Sequence, residues 1–276
     1  MEIIDSMEKD IIFAPGQEPV NKAVVRPVPG PRPNPVQMPE CDDLGNPQGD
    51  AFDLVKDGSM KGYRVIILDL MGLFLDDVFI ALERKGFSVK VYSYTEGSPC
   101  GDRELEELLS DAKTQLWVIS SEYRVLNRRE RKVICRFFLQ GRGLYLLSDN
   151  YPVFADTNIL LAKLFRSKMN GDYEGKRFIS VNEDGHSPGI VRDHPIATGI
   201  RSFYEGVTIS HVEMADGLTP LAYSSDGQVL IAYYDRDGKR ALVDGGYTRL
   251  QYRYNMPSTG TARLIANCAC WLAGVE

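Results

Sequence analysis

The sequence contains few of the residues that mark catalytic or metal sites. Its 276 residues include three histidines, His186, His194 and His211, with no H-x-H or H-E-x-x-H spacing among them. The five cysteines are an odd number at irregular spacing, and they lack the paired arrangement that structural zinc requires. No G-x-G-x-x-G follows the first apolar run, at residues 69–72. We therefore expect no metal and no cofactor.

The composition also lacks the marks of nucleic-acid-binding and membrane proteins. The formal net charge of −6 does not supply the cationic footprint that phosphate backbones need. No stretch reaches the ~20 apolar residues of a membrane span. Residues 1–12 carry acidic side chains where a secretory signal has a basic segment. We expect a cytoplasmic protein with no nucleic-acid partner, no membrane span and buried free thiols.

The beginning of the chain is rich in proline. Nine of the fifteen prolines lie in the first 47 residues, most densely at 24–35. Proline lacks an amide proton and disfavours helix in the residue before it, so this run predicts an extended or polyproline II conformation. We predict a flexible, disordered proline-rich arm over residues 1–60 and an α/β domain over 61–276. With no core element expected before residue 61, removal of the arm should leave the domain folded.

From residue 63 onward, short apolar runs alternate with helical patterns. Strands are predicted at 64–69, 87–92, 116–120 and 143–148, and helices at 72–85, 102–110, 127–140 and up to about 165. This alternation predicts an α/β fold that is flavodoxin-like and doubly wound, with a mostly parallel sheet. Hairpin signals join three later strands, at 220–223, 229–234 and 240–244, and a helix over 261–273 follows. These later strands predict an antiparallel C-terminal extension.

Polar residues follow several of the predicted strands. Open parallel sheets bind ligands where the carboxyl ends of their strands meet, so these residues are candidate ligand contacts, suited to Mg²⁺ or to sugar hydroxyls. The alternative is that they cap strand ends and the helices that follow. His194, which precedes a proline, is either a further ligand contact or a structural residue of its loop. The candidate ligand-binding residues are Asp69, Glu122, Ser148, Asp149, Asn150, His194 and Asp244.

Three passages in the last third of the chain carry a family resemblance. They are His194–Ile200 (HPIATGI), Gly238–Gly246 (GKRALVDGG) and Leu264–Gly274 (LIANCACWLAG). Their order and spacing resemble the class I glutamine-amidotransferase-like superfamily, in its trehalose-utilisation (ThuA-type) branch and in related domains of ciliary-transport and gliding-associated proteins. The resemblance covers roughly residues 62–275.

The sequence departs from that family where the family places its nucleophile. Amidotransferases carry a cysteine in a Gly-x-Cys-x-Gly turn that opens a helix, and a His–Glu pair activates it. The equivalent passage here is residues 146–152 (LLSDNYP), with neither the cysteine nor the glycines. Ser148 could replace the cysteine only with a histidine base, and it lacks a G-x-S-x-G turn. The alternative is a polar turn made by Ser148, Asp149 and Asn150. We assign no catalytic residue.

Three functions remain open. The first is a non-catalytic amidotransferase-like module, a pseudoenzyme in protein–protein interaction or scaffolding, which binds its partner through the arm. The second is an enzyme acting on a sugar-like or carboxylated small molecule at the strand ends, and the third a small-molecule sensor using the same site. A concave site that joins Asp69, Glu122, Asp149 and His194 would favour the latter two. Strand ends filled by tyrosines 151 and 247 would favour the first.

Overall fold

The computed structural model describes residues 41–42, 46, 52–94, 101–182, 188–215, 217–255 and 260–276. The chain divides into two units, residues 1–38 and residues 39–276, and every described residue belongs to the second. The predicted conformation of the arm before residue 41 therefore lies outside the described residues, as do His186 and Cys100. Within the described ranges, none of the helices combines the length and the apolar character that a membrane crossing requires.

The described residues form a mixed α/β fold. The strands are β1 (Arg64–Asp69), β2 (Ser88–Ser93), β3 (Thr114–Ile119), β4 (Leu144–Leu147), β5 (Met169–Glu174), β6 (Phe178–Asn182), β7 (Gly189–Val191), β8 (Ser202–Tyr204), β9 (Thr208–Val212), β10 (Thr219–Tyr223), β11 (Val229–Arg236) and β12 (Lys239–Asp244). The helices are α1 (Asp76–Lys85), α2 (Asp102–Leu108), α3 (Arg128–Leu139), α4 (Ala155–Leu164), α5 (Tyr252–Asn255) and α6 (Thr261–Leu272).

Ten strands form one large sheet, in the order β2-β1-β3-β4-β12-β11-β10-β7-β6-β8. The first five of these are parallel to one another. The remainder is antiparallel except for the β6–β7 pair, and β5 and β9 form a separate antiparallel pair. The predicted antiparallel extension is thus present, but its strand β12 also completes the parallel set, because β12 pairs with β4.

The alternation of side chains along each strand divides the core into two layers. In β1, Val65 and Ile67 pack with α1 and α6, whereas Ile66 and Leu68 pack with α2, α3 and α4. This is the period of two expected of a strand, since successive side chains point to opposite faces. Because both of their faces are covered by helices, β1, β3 and β4 are nearly continuous apolar runs. α1 ends at Gly86 in the left-handed conformation (φ 98°), as its sequence predicts.

The sequence pattern did not reveal the strands between residues 166 and 204. β7 and β8 have three residues each, too short to show a period. β5 and β6 are largely exposed and interrupted by polar residues, which hides their alternation. These strands exist because neighbouring strands pair with them, which is a tertiary effect.

Residues 52–60, which belong to the predicted arm, pack on the domain. Met60 is 4% exposed and belongs to the core. The ammonium group of Lys85, at the end of α1, contacts the Asp53 and Asp57 carboxylates at 2.9 Å each and the Val55 carbonyl oxygen at 2.7 Å. The expectation that no core element precedes residue 61 is therefore wrong, because three acceptors in this segment satisfy one buried ammonium group.

We expect a chain that begins at residue 61 to be less stable than one that begins at residue 52. Lys85 is 6% exposed, and removal of its partners leaves a buried, unpaired charge, which costs about 3–5 kcal/mol. Urea denaturation of the two chains measures the difference. The double variant Asp53→Asn, Asp57→Asn in the longer chain should reproduce much of that loss, because it removes both carboxylate partners of Lys85. Equal midpoints for the two chains would contradict the prediction.

Candidate functional site

The carboxyl ends of four parallel strands meet at one edge of the sheet, which we call the rim. Asp69 ends β1, Ser120 follows β3, Ser148 follows β4 and Asp244 ends β12. Backbone hydrogen bonds join the neighbouring ends, from Ser120 N to Leu147 O (2.9 Å) and from Ser148 N to Asp244 O (2.8 Å). The structure therefore brings the candidate residues Asp69, Ser148 and Asp244 to one edge, where open parallel sheets bind ligands.

Asp69 uses its carboxylate to hold the loop that follows β1. Its Oδ1 accepts hydrogen bonds from the backbone N–H groups of Met71 (3.1 Å) and Gly72 (2.9 Å), and its Oδ2 accepts one from Leu73 (2.7 Å). Burial raises the pKa of Asp69, and these hydrogen bonds oppose the rise. The bonds also explain why α1 begins at Asp76 rather than near residue 72, because they hold residues 71–73 in a turn.

Asp149 is 1% exposed and joins β4 to two other parts of the chain. Its Oδ1 accepts hydrogen bonds from the Thr208 hydroxyl (2.5 Å) and from Asn150 N (2.9 Å), and its Oδ2 accepts one from Thr248 N (3.3 Å). Burial raises the pKa of Asp149 to about 6, although the hydrogen bonds lower it. The protonation of the Asp149 carboxyl therefore changes close to neutral pH.

Two tyrosine side chains at the rim, Tyr247 and Tyr151, differ in their exposure to solvent. Tyr247 is 3% exposed, and its pKa is raised by burial and by the nearby charges of Asp149 and Asp69. Tyr151, by contrast, is 65% exposed. Tyr247 thus fills the space beside both carboxylates, while Tyr151 faces solvent.

Asp244 forms a buried ion pair with Arg249, and both side chains are 1% exposed. Arg249 Nη1 contacts both carboxylate oxygens, and the Tyr145 hydroxyl donates to Oδ2 at 2.7 Å. The same guanidinium donates to the carbonyl oxygens of Tyr204 (3.1 Å) and Glu205 (2.5 Å). Asp244 is therefore a structural residue whose acceptors are occupied, not a carboxylate open to a ligand.

The turn after β4 differs from a nucleophile elbow. Ser148 is fully buried, and α4 begins only at Ala155. The Ser148 hydroxyl has no hydrogen-bond partner among the described residues, so it lacks the histidine base that catalysis would need. Asn150 donates a hydrogen bond from Nδ2 to Asp172 at 2.7 Å, which anchors the turn to β5.

The last two candidate residues do not join the buried rim carboxylates. Glu122 is exposed, and its carboxylate accepts a hydrogen bond from Tyr123. His194 packs against the rings of Tyr233 (4.4 Å) and Trp271 (5.1 Å), on the α6 face of the sheet. Its Nδ1 accepts the Ile196 N–H at 3.2 Å, and burial lowers its pKa to about 4. His194 is thus a structural residue of its loop and contacts neither Asp69 nor Asp149.

A second polar cluster, missed by the sequence analysis, lies where β9 meets the β10–β11 turn. The Nε2 atom of His211 lies 3.4 Å from the Ser224 hydroxyl and 3.3 Å from the Asp226 carboxylate. Tyr173 stacks on the imidazole at 4.2 Å. A catalytic triad places serine and aspartate on different ring nitrogens, whereas both contact one nitrogen here. The hairpin signal at residues 225–227 predicts the turn but not its contact with a histidine.

Three of the four thiols among the described residues are poor nucleophiles. Cys135, Cys268 and Cys270 are buried, whereas Cys41 is exposed, so the expectation of buried thiols is wrong for Cys41. Burial raises the pKa of all three, that of Cys270 to about 12, so the reactive thiolate is scarce at neutral pH. Among the described residues, no group of three or more histidine, cysteine, aspartate or glutamate side chains is placed to hold a metal ion.

Comparison with known proteins yields only distant structural likenesses. No protein-family model matches the chain, and no curated protein sequence matches it. Solved structures that are similar include the exo-β-1,4-mannosidase Op5Man5 from Opitutaceae bacterium strain TAV5 (12% identity, TM-score 0.43, 76% of this chain and 36% of that one). A second is a β-galactosidase from Rahnella sp. R3 (10% identity, TM-score 0.46, 71% of this chain and 30% of that one). A third is the carbohydrate deacetylase Agd3 (10% identity, TM-score 0.39, 71% of this chain and 32% of that one). The chain spans about a third of each, and TM-scores below 0.5 support no conclusion about activity.

We expect Asp244→Asn to destabilise the protein by about 3–5 kcal/mol, because it leaves the buried Arg249 without its counter-charge. The free energy of unfolding in urea measures the effect. Glu106→Gln is the matched control, since it breaks an exposed ion pair with Arg136 (3.1 Å) and should cost no more than about 1 kcal/mol. Equal losses in the two variants would contradict a structural role for Asp244.

Asp149 and His194 should give opposite pH dependences of stability. Burial raises the pKa of Asp149 to about 6, above its unfolded value of ~3.9, so its contribution is present at low pH and lost as pH rises through 6. Burial lowers the pKa of His194 to about 4, below its unfolded value of ~6.5, so its contribution is present above pH ~6.5 and lost as pH falls through 4.

Denaturation between pH 4 and 6.5 separates the two effects. We expect the stability of His194→Gln to fall as pH rises, by up to about 3 kcal/mol, since the Asp149 effect then acts without its counterpart. The stability of Asp149→Asn should instead rise with pH more steeply than that of the wild type. Identical pH profiles in all three proteins would show that neither group is perturbed.

Proposed function

We propose that this chain is a non-catalytic member of the glutamine-amidotransferase-like superfamily that acts as a protein-interaction module in a larger assembly. The spatial order of its parallel strands, β2-β1-β3-β4-β12, supports the flavodoxin-like part of this assignment, since it follows the 2-1-3-4-5 order of that fold. The three sequence passages that resemble the family supply the rest.

One observation carries the non-catalytic part of the proposal: the buried rim carboxylates serve the fold. Asp69 binds three backbone amides, Asp244 binds Arg249 and Tyr145, and Asp149 binds Thr208, Thr248 and Asn150. A general acid or base needs a carboxyl group within reach of a substrate. Carboxylates whose oxygens already accept protein hydrogen bonds are poorly placed for that work.

The loops at the rim expose large apolar side chains, which supports an interaction surface there. Met71 and Phe74 follow β1, Tyr123 follows β3 and Tyr151 follows β4. They are 44%, 83%, 69% and 65% exposed, in that order. Because β1, β3 and β4 are neighbours, these side chains project from one edge of the sheet. Clustered exposed apolar groups mark protein-binding surfaces, and tyrosine and phenylalanine are enriched in such interfaces.

The second candidate is an enzyme or a sensor for a sugar-like or carboxylated small molecule at the rim. It is favoured by Asp149, whose pKa burial raises to about 6, and by the adjacent buried hydroxyl of Ser148, which has no partner among the described residues. Perturbed carboxyl groups of this kind cluster at functional sites.

Purification of the tagged full-length chain from its source cells, followed by cross-linking and mass spectrometry, tests the proposal. We expect a partner in stoichiometric amounts, cross-linked near residues 71–74, 123 or 151. The double variant Phe74→Ser, Tyr151→Ser should weaken its binding roughly tenfold or more, as removal of aromatic anchors does. Leu139→Ser is the control, because Leu139 is 63% exposed but lies at the end of α3.

Two results would overturn the proposal. One is a partner that binds the rim double variant and the wild type equally well. The other is turnover of an amide, a glycoside or a sugar ester that Asp149→Asn abolishes while the variant keeps wild-type stability and circular dichroism. The second result would establish an enzymatic function instead.

A further inference from the structure

A cleft of about 390 Å³ opens at the edge of the sheet opposite the rim, where the parallel strands begin. Its walls include Lys113, just before β3, and Arg142 and Gly143, just before β4. Gly238, in the β11–β12 turn, and Gly274, after α6, also line the cleft. The volume falls within the ~300–1,000 Å³ typical of small-molecule sites. Gly238 and Gly274 have open space beside their backbone, whereas Gly143 packs against the carbonyl oxygen of Leu272.

One wall of the cleft carries two cations that lack an ion-pair partner within the described part of the chain. The exposed Lys113 ammonium lies 5.2 Å from the centre of the Tyr63 ring. The Arg142 guanidinium donates to the carbonyl oxygens of Thr114 (3.1 Å) and Asp111. Burial lowers the pKa of Arg142, although Asp111 opposes this. The half-buried guanidinium also lies 5.0 Å from the centre of the Phe137 ring, and it keeps a planar donor set that suits an anion.

Thr114 supplies a further polar group beside these cations. It lines the cleft and is 3% exposed, and its hydroxyl has no hydrogen-bond partner among the described residues. Buried hydroxyls nearly always have a partner, in the protein or in a bound molecule. Arg142 donates to the Thr114 carbonyl oxygen, which places the guanidinium beside Thr114, and Lys113 is the preceding residue of the chain.

The other wall of the cleft is an ion cluster in which one cation meets two carboxylates, so its net charge is −1. Arg240 lies 3.4 Å from Asp235 and 3.5 Å from Glu276, and it donates to the carbonyl oxygens of Trp271 (3.0 Å) and Val275 (2.9 Å). Arg240 is thus fixed at the end of α6. The two carboxylates repel an anion but still accept hydrogen bonds, which suits the hydroxyl groups of a ligand.

We propose that this cleft binds a small phosphorylated sugar or polyol, with its phosphate between Lys113 and Arg142 and its hydroxyls toward Asp235 and Glu276. A phosphate matches the planar donors of arginine and the point charge of lysine. The opposite signs of the two walls orient the ligand. The site is at the far edge from the rim and does not depend on the function proposed above.

Isothermal titration of the full chain at constant ionic strength tests this site with four probes: inorganic phosphate, glucose 6-phosphate, glucose and citrate. Lys113→Gln removes one cation of the site. Lys90→Gln is the matched control, because Lys90 is also exposed and also lies over a tyrosine ring, that of Tyr92 at 4.7 Å, outside the cleft. We expect glucose 6-phosphate to bind more tightly than phosphate or citrate, with no binding of glucose.

Lys113→Gln should weaken glucose 6-phosphate binding roughly tenfold or more, the loss of one charge-assisted hydrogen bond, while Lys90→Gln binds like the wild type. Arg142→Lys should weaken binding as well, because it keeps the charge but removes the planar donor pair. Absence of saturable binding would overturn the proposal. So would tighter binding of citrate, or equal affinities in Lys113→Gln and Lys90→Gln.

Discussion

The buried contact between Asp244 and Arg249 connects the two halves of the large sheet. Asp244 ends β12, the strand through which the antiparallel half meets the parallel half, and Tyr145 of β4 donates to the same carboxylate. Arg249 carries the connection onward to the carbonyl oxygens of residues 204 and 205, at the end of β8. A guanidinium with several fixed acceptors is well satisfied, but removal of either partner leaves a buried charge. The relative placement of these strands depends on that pair.

The need to satisfy buried polar groups also determines how side chains are arranged at the rim. The ends of parallel strands leave polar groups that must be satisfied, and here carboxylates from the strands themselves satisfy many of them. Asp69 and Asp149 bind backbone amides and threonine hydroxyls, and Tyr247 fills the space beside them. Loop side chains such as Phe74 then face outward. At this edge the strand-end carboxylates are therefore turned inward, while several large apolar side chains of the loops are exposed.

Prediction from the sequence succeeded where the local pattern of residues and the tertiary packing favour the same element. The apolar runs of β1, β3 and β4 are strands because both of their faces are buried, and Gly86 ends α1 where only a left-handed residue fits. It failed for β5 to β8, where pairing with neighbours and not the period of the sequence makes the strand. It also failed for residues 52–60, because the partner of the buried Lys85 cannot be read from a segment without periodicity.

The sequence by itself determined the α/β class, the alternation that builds a largely parallel sheet, and the polar residues at the ends of its strands. These follow from apolar periodicity and from turn residues, which are local properties. Only the tertiary structure decided that β12 joins the parallel set and that Asp244 faces Arg249. It also placed His194 against Trp271, on the α6 face, instead of beside Asp149. The physical reason is that a side chain's role depends on which distant groups surround it after folding, and burial and hydrogen-bond partners are properties of that neighbourhood.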